Sequence, residues 1–157
     1  MLVVFVCWGN IYRSPMAEVL LTRAVAERAL AGVAVSSAGV NASPGRESPA
    51  DACAVASEFH LSLGAHRATR LTTELADRAD MLVIMDPLND AIITHRFSNS
   101  AHKIVALGAF ERDREDASGV IDDPYGQGID AVRMCYRRLS RCINGLADAL
   151  AAAAATR

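Results

Sequence analysis

Residues 1–6, Met-Leu-Val-Val-Phe-Val, run straight into Cys7-Trp8-Gly9-Asn10-Ile11-Tyr12-Arg13-Ser14 and then Pro15. An apolar, β-branched run of that length predicts a buried parallel strand. Pro15 suits a first helical turn, and Met16, Val19, Leu20 and Ala24 keep helical spacing, so a helix capped by Ser14 is expected. The intervening loop then sits at the carboxyl end of a strand and opens a helix. Its unpaired amides and the helix dipole converge on one spot that favours an anion. Cys7 enters that field, which stabilises a thiolate. Arg13 can grip two oxygens of a tetrahedral dianion at once. Together they form an anion cradle with a nucleophile in it.

Spacing alone proves little. Cys-x5-Arg occurs twice, as Cys7 with Arg13 and as Cys135 with Arg141. The second copy falls inside a helical pattern without glycine, where amides are already bonded to carbonyls four residues back. Only the first copy has the context of a cradle. Without that context, Cys7 would read as a small buried hydrophobe.

The rest of the chain alternates strand and helix signals. Strands are expected at 33–37, 81–85 and 104–107, and helices over 50–61 and from about Pro87. A final helix carries Ile129, Val132, Tyr136, Leu139, Ile143, Leu146 and Leu150 on one stripe, which packs on a sheet. The charged segment 111–119 reads as a mobile linker delivering Asp122-Asp123-Pro124-Tyr125. The expected architecture is α/β: residues 1–157 as a single domain, with a four-stranded parallel sheet, helices on both faces and a phosphate-binding loop after the first strand.

Composition narrows the class further. The 157 residues are 52% hydrophobic and 22% charged, with a net charge of −2, which excludes a general nucleic-acid binder or polybasic membrane protein. No apolar run approaches the ~20 residues of a membrane span, and the apolar N-terminus is too short for a signal peptide and carries the motif itself. The four cysteines read as reduced thiols of a cytoplasmic protein, with Cys135 and Cys142 as small core residues. Arginine outnumbers lysine fifteen to one beside abundant alanine, which fits a GC-rich bacterial genome. His60, His95 and His102 lack metal-ligand spacing, so neither metal nor cofactor is expected.

Cys7, Gly9, Asn10, Arg13, Ser14 and Pro15 resemble the signature of the low-molecular-weight protein tyrosine phosphatase family, Cys-x-Gly-Asn-x-Cys-Arg-Ser-Pro. Asp123-Pro124-Tyr125 resembles its second signature, and Ser37-Ala38-Gly39, Ala65-His66-Arg67-Ala68 and Met85-Asp86 match in order between them. The chain departs at Tyr12, where the family commonly has a second cysteine, and segment 41–48 lacks the aromatic of many eukaryotic members.

The resemblance implies a phosphotyrosine phosphatase with a cysteinyl-phosphate intermediate. Cys7 would be the nucleophile, residues 8–14 (Trp8, Gly9, Asn10, Ile11, Tyr12, Arg13 and Ser14) would bind phosphate, and Asp123 would be the general acid and base. Without Cys7, the Asp122-Asp123 pair would read as a solvated turn before Pro124. Ser14 can cap its helix and also donate to the thiolate. Asn10 is expected at positive φ, which asparagine tolerates. By resemblance, Ser37 and His66 would hydrogen-bond Asn10, the alternative for His66 being a turn or surface histidine. Trp8, Tyr12 and Tyr125 would rim the pocket for an aromatic ring. For Trp8, a docking or core tryptophan is the alternative. The expected partner is a tyrosine-phosphorylated protein, in bacteria a tyrosine kinase of polysaccharide export among others.

Two rival functions share parts of this pattern. An arsenate reductase of the same fold needs two further redox cysteines after the third strand, and residues 86–100 contain none. A phosphoryl-carrier module with a phosphocysteine also carries a cysteine after its first strand, but has no need of Arg13 or Asp123.

Overall fold

The computed structural model describes residues 1–112 and 118–155. Strand β1 (Leu2–Cys7) lies between β2 (Ala34–Gly39) and β3 (Met81–Ile84), and β4 (Ile104–Ala106) flanks β3. The order β2-β1-β3-β4 is parallel throughout. Chain direction across the sheet reverses at β1, so the loop after Cys7 opens at the switch point where such sheets bind ligands.

Both faces of β1 are covered, which is why its sequence shows no polar alternation. Val3, Phe5 and Cys7 belong to a core shared with α1 (Arg13–Glu27), α2 (Ala50–Glu58) and α5 (Ile129–Ala155). Val4 and Val6 face a smaller core shared with α3 (Thr73–Arg78) and α4 (Pro87–Arg96). The α5 stripe is buried from Val132 to Leu150, whereas Ile129 at the helix tip is 42% exposed, contrary to its expected place in the stripe.

Several boundaries differ from expectation for physical reasons. β2 runs to Gly39 because its ladder with β1 continues to the Cys7–Gly39 pair. α2 stops at Glu58 rather than residue 61, because His60 turns left-handed (φ 57°) and the Leu61 amide bonds the Ala56 carbonyl. α3 has no apolar period long enough to read; Thr72 starts it by accepting from the Leu75 amide at 3.2 Å. Helix α1 begins at Arg13 after Tyr12, without a side-chain cap. Ser14 is therefore inside the first turn, not before it, and its hydroxyl turns towards Cys7. Most of the expected linker, residues 113–117, lies outside the described residues.

Gly39 is where β2 touches the Cys7 loop. A Cβ there would lie 2.7 Å from the Trp8 carbonyl oxygen and 2.9 Å from the Asn10 amide. Both contacts are backbone, so the loop itself would have to move. Gly39→Ala is expected to cost about 1–3 kcal/mol in denaturant unfolding, the range for overpacking. The same variant should lose catalytic activity beyond what that instability explains at 25 °C.

Candidate active site

Asn10 holds the loop in shape. It is fully buried with φ 53°, the left-handed conformation that turns successive amides inward. Its Nδ2 donates to Ser14 Oγ and Ser37 Oγ, both at 2.9 Å, and its Oδ1 accepts from the Thr69 amide at 2.7 Å. His66 Nε2 donates to the Asn10 carbonyl at 2.7 Å, which fixes the proton on that nitrogen. Ser37 Oγ in turn donates a hydrogen bond to Glu18 Oε2 at 2.5 Å. The side chain and carbonyl of Asn10 are thereby anchored from three other segments of the chain.

Cys7 lies at the centre of this arrangement, 3% exposed. Its Sγ accepts from the Asn10 amide at 3.3 Å and lies 3.0 Å from Ser14 Oγ. Because Asn10 donates to Ser14, the single Ser14 proton is left for the sulfur or for the Ala38 carbonyl at 3.3 Å, the sulfur being nearer. Both contacts stabilise negative charge there.

Arg13 is 2% exposed, and three of its five N–H donors meet protein acceptors. Nη1 donates to Asp86 Oδ2 at 2.6 Å and to the Ile121 carbonyl at 2.9 Å, while Nη2 donates to Asp123 Oδ2 at 2.7 Å. Burial works against its charge, but Cys7, Asp123 and Asp86 outweigh burial and raise the guanidinium above its ordinary value. Asp86 caps α4 by accepting from the Asn89 amide, so the helix fixes the carboxylate that aims Arg13. Asp122, beside Asp123, is exposed.

A cleft of about 330 Å³ opens over the sulfur, lined by the Cys7 loop, Asp123 and a mixed rim. Trp8, Ile11, Tyr12 and Tyr125 supply apolar and aromatic surface, and Asn41, Ser43 and Arg46 supply polar groups. Trp8 is 40% exposed, so it is not a core residue. Gly9 lines the cleft, whereas the Asn10 and Ser14 side chains lie buried behind the loop. Tyr12 is buried and donates to Asp51 Oδ1 at 2.9 Å. Burial first, then this bond and the Asp51 charge, push its phenol up to about 12. Among the described residues, no group of three or more His, Cys, Asp or Glu side chains could hold a metal ion.

The family model for low molecular weight phosphotyrosine protein phosphatase matches residues 2–156, and the chain belongs to that family. A protein-arginine-phosphatase of Bacillus subtilis (strain 168) is 35% identical over 148 residues, covering 94% of this chain and 95% of the relative. A probable low molecular weight protein-tyrosine-phosphatase, EpsP of Ralstonia solanacearum, is 34% identical over 139 residues, covering 86% and 88%. Among solved structures, a mutant of the YwlE arginine phosphatase with a phosphorylated active-site serine superposes with a TM-score of 0.87. It is 32% identical and covers 96% of this chain and 95% of that one.

Sequence reasoning gave no role to four residues that the structure brings into the site. Glu18, Thr69 and Asp51 act through single contacts that no local pattern announces, and Asp86 had only its place in the family match. Cys135 is a buried core residue, as the sequence suggests. That thiol shares the core with Cys7 and senses the charges of Arg13, Asp123 and Cys7, while burial pushes it up to about 12. It is thus close but a weak nucleophile.

Two outcomes follow from this geometry. Asn10→Ala should lower kcat/KM for aryl phosphates roughly 10²-fold, since a displaced loop forfeits transition-state hydrogen bonds of oxyanion-hole type. Cys7 has no thiol beside it across the loop, because Tyr12 stands there. Brief peroxide should therefore inactivate the protein without an intramolecular disulfide at Cys7, prolonged exposure should become irreversible, and Tyr12→Cys should restore recovery by thiols. Peptide mapping after peroxide checks this; a Cys7–Cys135 bond would contradict it.

Proposed function

We propose that this protein is a protein tyrosine phosphatase working through a cysteinyl phosphate. The observation that carries the proposal is the meeting of Cys7 Sγ, the inward loop and the Arg13 guanidinium at the floor of an aromatic cleft, with Asp123 on its wall. The Cys7 thiolate attacks phosphorus, forming the S–P bond as the P–O bond to the aryl group breaks. Loop amides and Arg13 hold the equatorial oxygens. Asp123 gives its proton to the leaving phenolate oxygen. A water then attacks phosphorus and loses a proton to Asp123, the S–P bond breaks, and phosphate departs from a restored thiolate.

Geometry supports Asp123 as the acid. Arg13 faces Cys7, Asp86 and Asp123. Of the two carboxylates, Asp123 is the one that lines the cleft over the Cys7 sulfur, where a leaving group would stand. The relative with a phosphorylated active-site serine supports a phosphoryl group carried on the nucleophile's position.

Phosphoarginine is the second reading, favoured by the names of the arginine phosphatases among the relatives. The cleft argues for tyrosine. Trp8, Ile11, Tyr12 and Tyr125 suit a neutral ring, and Arg46 on the rim repels a guanidinium. Residues 1–157 would act as one phosphatase domain on a tyrosine-phosphorylated protein, a bacterial tyrosine kinase being a suitable partner. No described helix is long and apolar enough to cross a membrane, and a cytoplasmic location with reduced thiols fits a nucleophilic Cys7.

Paired peptides carrying phosphotyrosine or phosphoarginine decide the substrate, with kcat/KM expected to favour phosphotyrosine; the reverse ratio would move the assignment. Cys7→Ser should abolish turnover while phosphate still binds, and Arg13→Ala should damage both. Asp123→Asn should flatten the alkaline limb of the pH–rate profile and cost ~10²-fold or more with poor leaving groups. Asp122→Asn should do neither.

A further inference from the structure

Tyr12 stands where the family signature has a cysteine, and it is tied into two elements outside the loop, α2 by its side chain and α5 by its carbonyl. Its hydroxyl donates to Asp51 Oδ1 at 2.9 Å, and the same oxygen accepts the Ala52 amide at 2.8 Å. Asp51 is in the first turn of α2, so the carboxylate that holds Tyr12 is itself fixed by a helix. The Tyr12 carbonyl accepts from Tyr136 of α5 at 3.1 Å. The ring is thus anchored at its hydroxyl, 6% exposed, and presents one surface to the cleft.

Tyr125 rests on that surface. The two rings meet edge to face, with centroids 6.2 Å apart and planes at 85°. Tyr125 is otherwise 60% exposed and belongs to a stretch, 118–128, without helix or strand. Gly126 and Gly128, both at positive φ, follow it. The Tyr125 amide donates to Asp123 Oδ1 at 3.2 Å, linking the position of the ring to that of the carboxylate.

Asp123 is clamped by the 2.7 Å ion pair of its Oδ2 with Arg13 Nη2. An Asp123 that carries the proton for the leaving group has no charge for Arg13, so this clamp weakens during the reaction. The carboxyl group is then held by its own segment. Buried Ile121, Arg138 on the Val120 carbonyl and Gln127 on the Asp123 carbonyl fix the backbone, and on the cleft side the ring contact of Tyr125 with Tyr12 seats it.

We infer that Tyr12 is a positioning residue for the general acid, seating Tyr125 so that Asp123 stays over the leaving oxygen when it carries the proton and has lost its ion pair with Arg13. The inference rests on the phosphatase reading above. It separates Tyr12 from the cradle that surrounds it: the backbone at position 12 serves the loop, while the side chain serves the acid.

The test is the dependence of kcat/KM on leaving group, because this parameter reports the step in which Asp123 gives up its proton. Wild type, Tyr12→Leu, Tyr12→Phe, Tyr125→Leu and the Tyr12→Leu/Tyr125→Leu double variant are compared on aryl phosphates from para-nitrophenyl to phenyl phosphate. Inhibition by inorganic phosphate is measured in parallel. Tyr12→Leu should lose roughly threefold on para-nitrophenyl phosphate but thirtyfold or more on phenyl phosphate, whose leaving oxygen needs the proton, with phosphate inhibition within about twofold of wild type. Tyr12→Phe keeps the ring and should recover most of the phenyl phosphate rate. Tyr125→Leu should show the same steepened dependence, and the double variant should be no steeper than either single one. A Tyr12→Leu loss that is equal across the series, or accompanied by weakened phosphate inhibition, would overturn the role and place Tyr12 in the cradle or the fold. If wild type itself turns over neither aryl phosphates nor phosphotyrosine, the phosphatase reading fails first and this role fails with it.

Discussion

A buried guanidinium needs partners, and Arg13 draws the site together because its partners come from separate parts of the chain. Leaving such a charge unpaired in the interior would cost several kcal/mol. Asp86 at the start of α4, the Ile121 carbonyl and Asp123 meet that need. The loop after β1, the end of β3 and the 118–128 segment therefore converge on one side chain. The sheet order makes this possible, since β1 and β3 are neighbours and both end at the same edge of the sheet.

That arrangement divides the site into two kinds of support. The loop is held by contacts that the reaction leaves intact: Asn10 to Ser14, Ser37 and Thr69, and His66 to the Asn10 carbonyl. These contacts are preorganisation, paid for at folding, so that the amides need no rearrangement when charge develops on the phosphoryl oxygens. The acid segment is held partly by a contact that the reaction weakens. Arg13 Nη2 pairs with Asp123, and an Asp123 that carries the proton for the leaving group has no charge left for that pair.

Much of this was legible in the sequence, and the boundary of legibility has a physical cause. The strand, loop and helix at residues 1–24 are local in origin: β-branched burial, a loop glycine, an asparagine able to take positive φ, and a proline in the first turn. Those features yield the cradle without knowledge of any other segment. The end of β2 was not legible, because pairing with β1 extends it to Gly39. Ser14 misled for the opposite reason. Serine before proline is a cap pattern, yet its hydroxyl is claimed by Cys7 and Asn10, and the helix starts without it. Glu18, Asp51 and Thr69 each act across 19 to 59 residues through one hydrogen bond. No periodicity encodes such contacts. Cys135 came near Cys7 only because α5 packs on α1 behind the loop.

Position 12 shows how a single departure from a family signature spreads through a site. A cysteine there would be small and would present a thiol across the loop from Cys7. A tyrosine cannot occupy the same volume without finding a hydroxyl partner and a place for its ring. Asp51 supplies the first, and the cleft facing Tyr125 supplies the second. Both consequences concern groups remote from residue 12 in sequence, one in α2 and one beside the acid. Oxidation of Cys7 and seating of Asp123 are therefore tied to the same residue, because the side chain that removes a thiol partner from the nucleophile also extends an aromatic wall towards the acid.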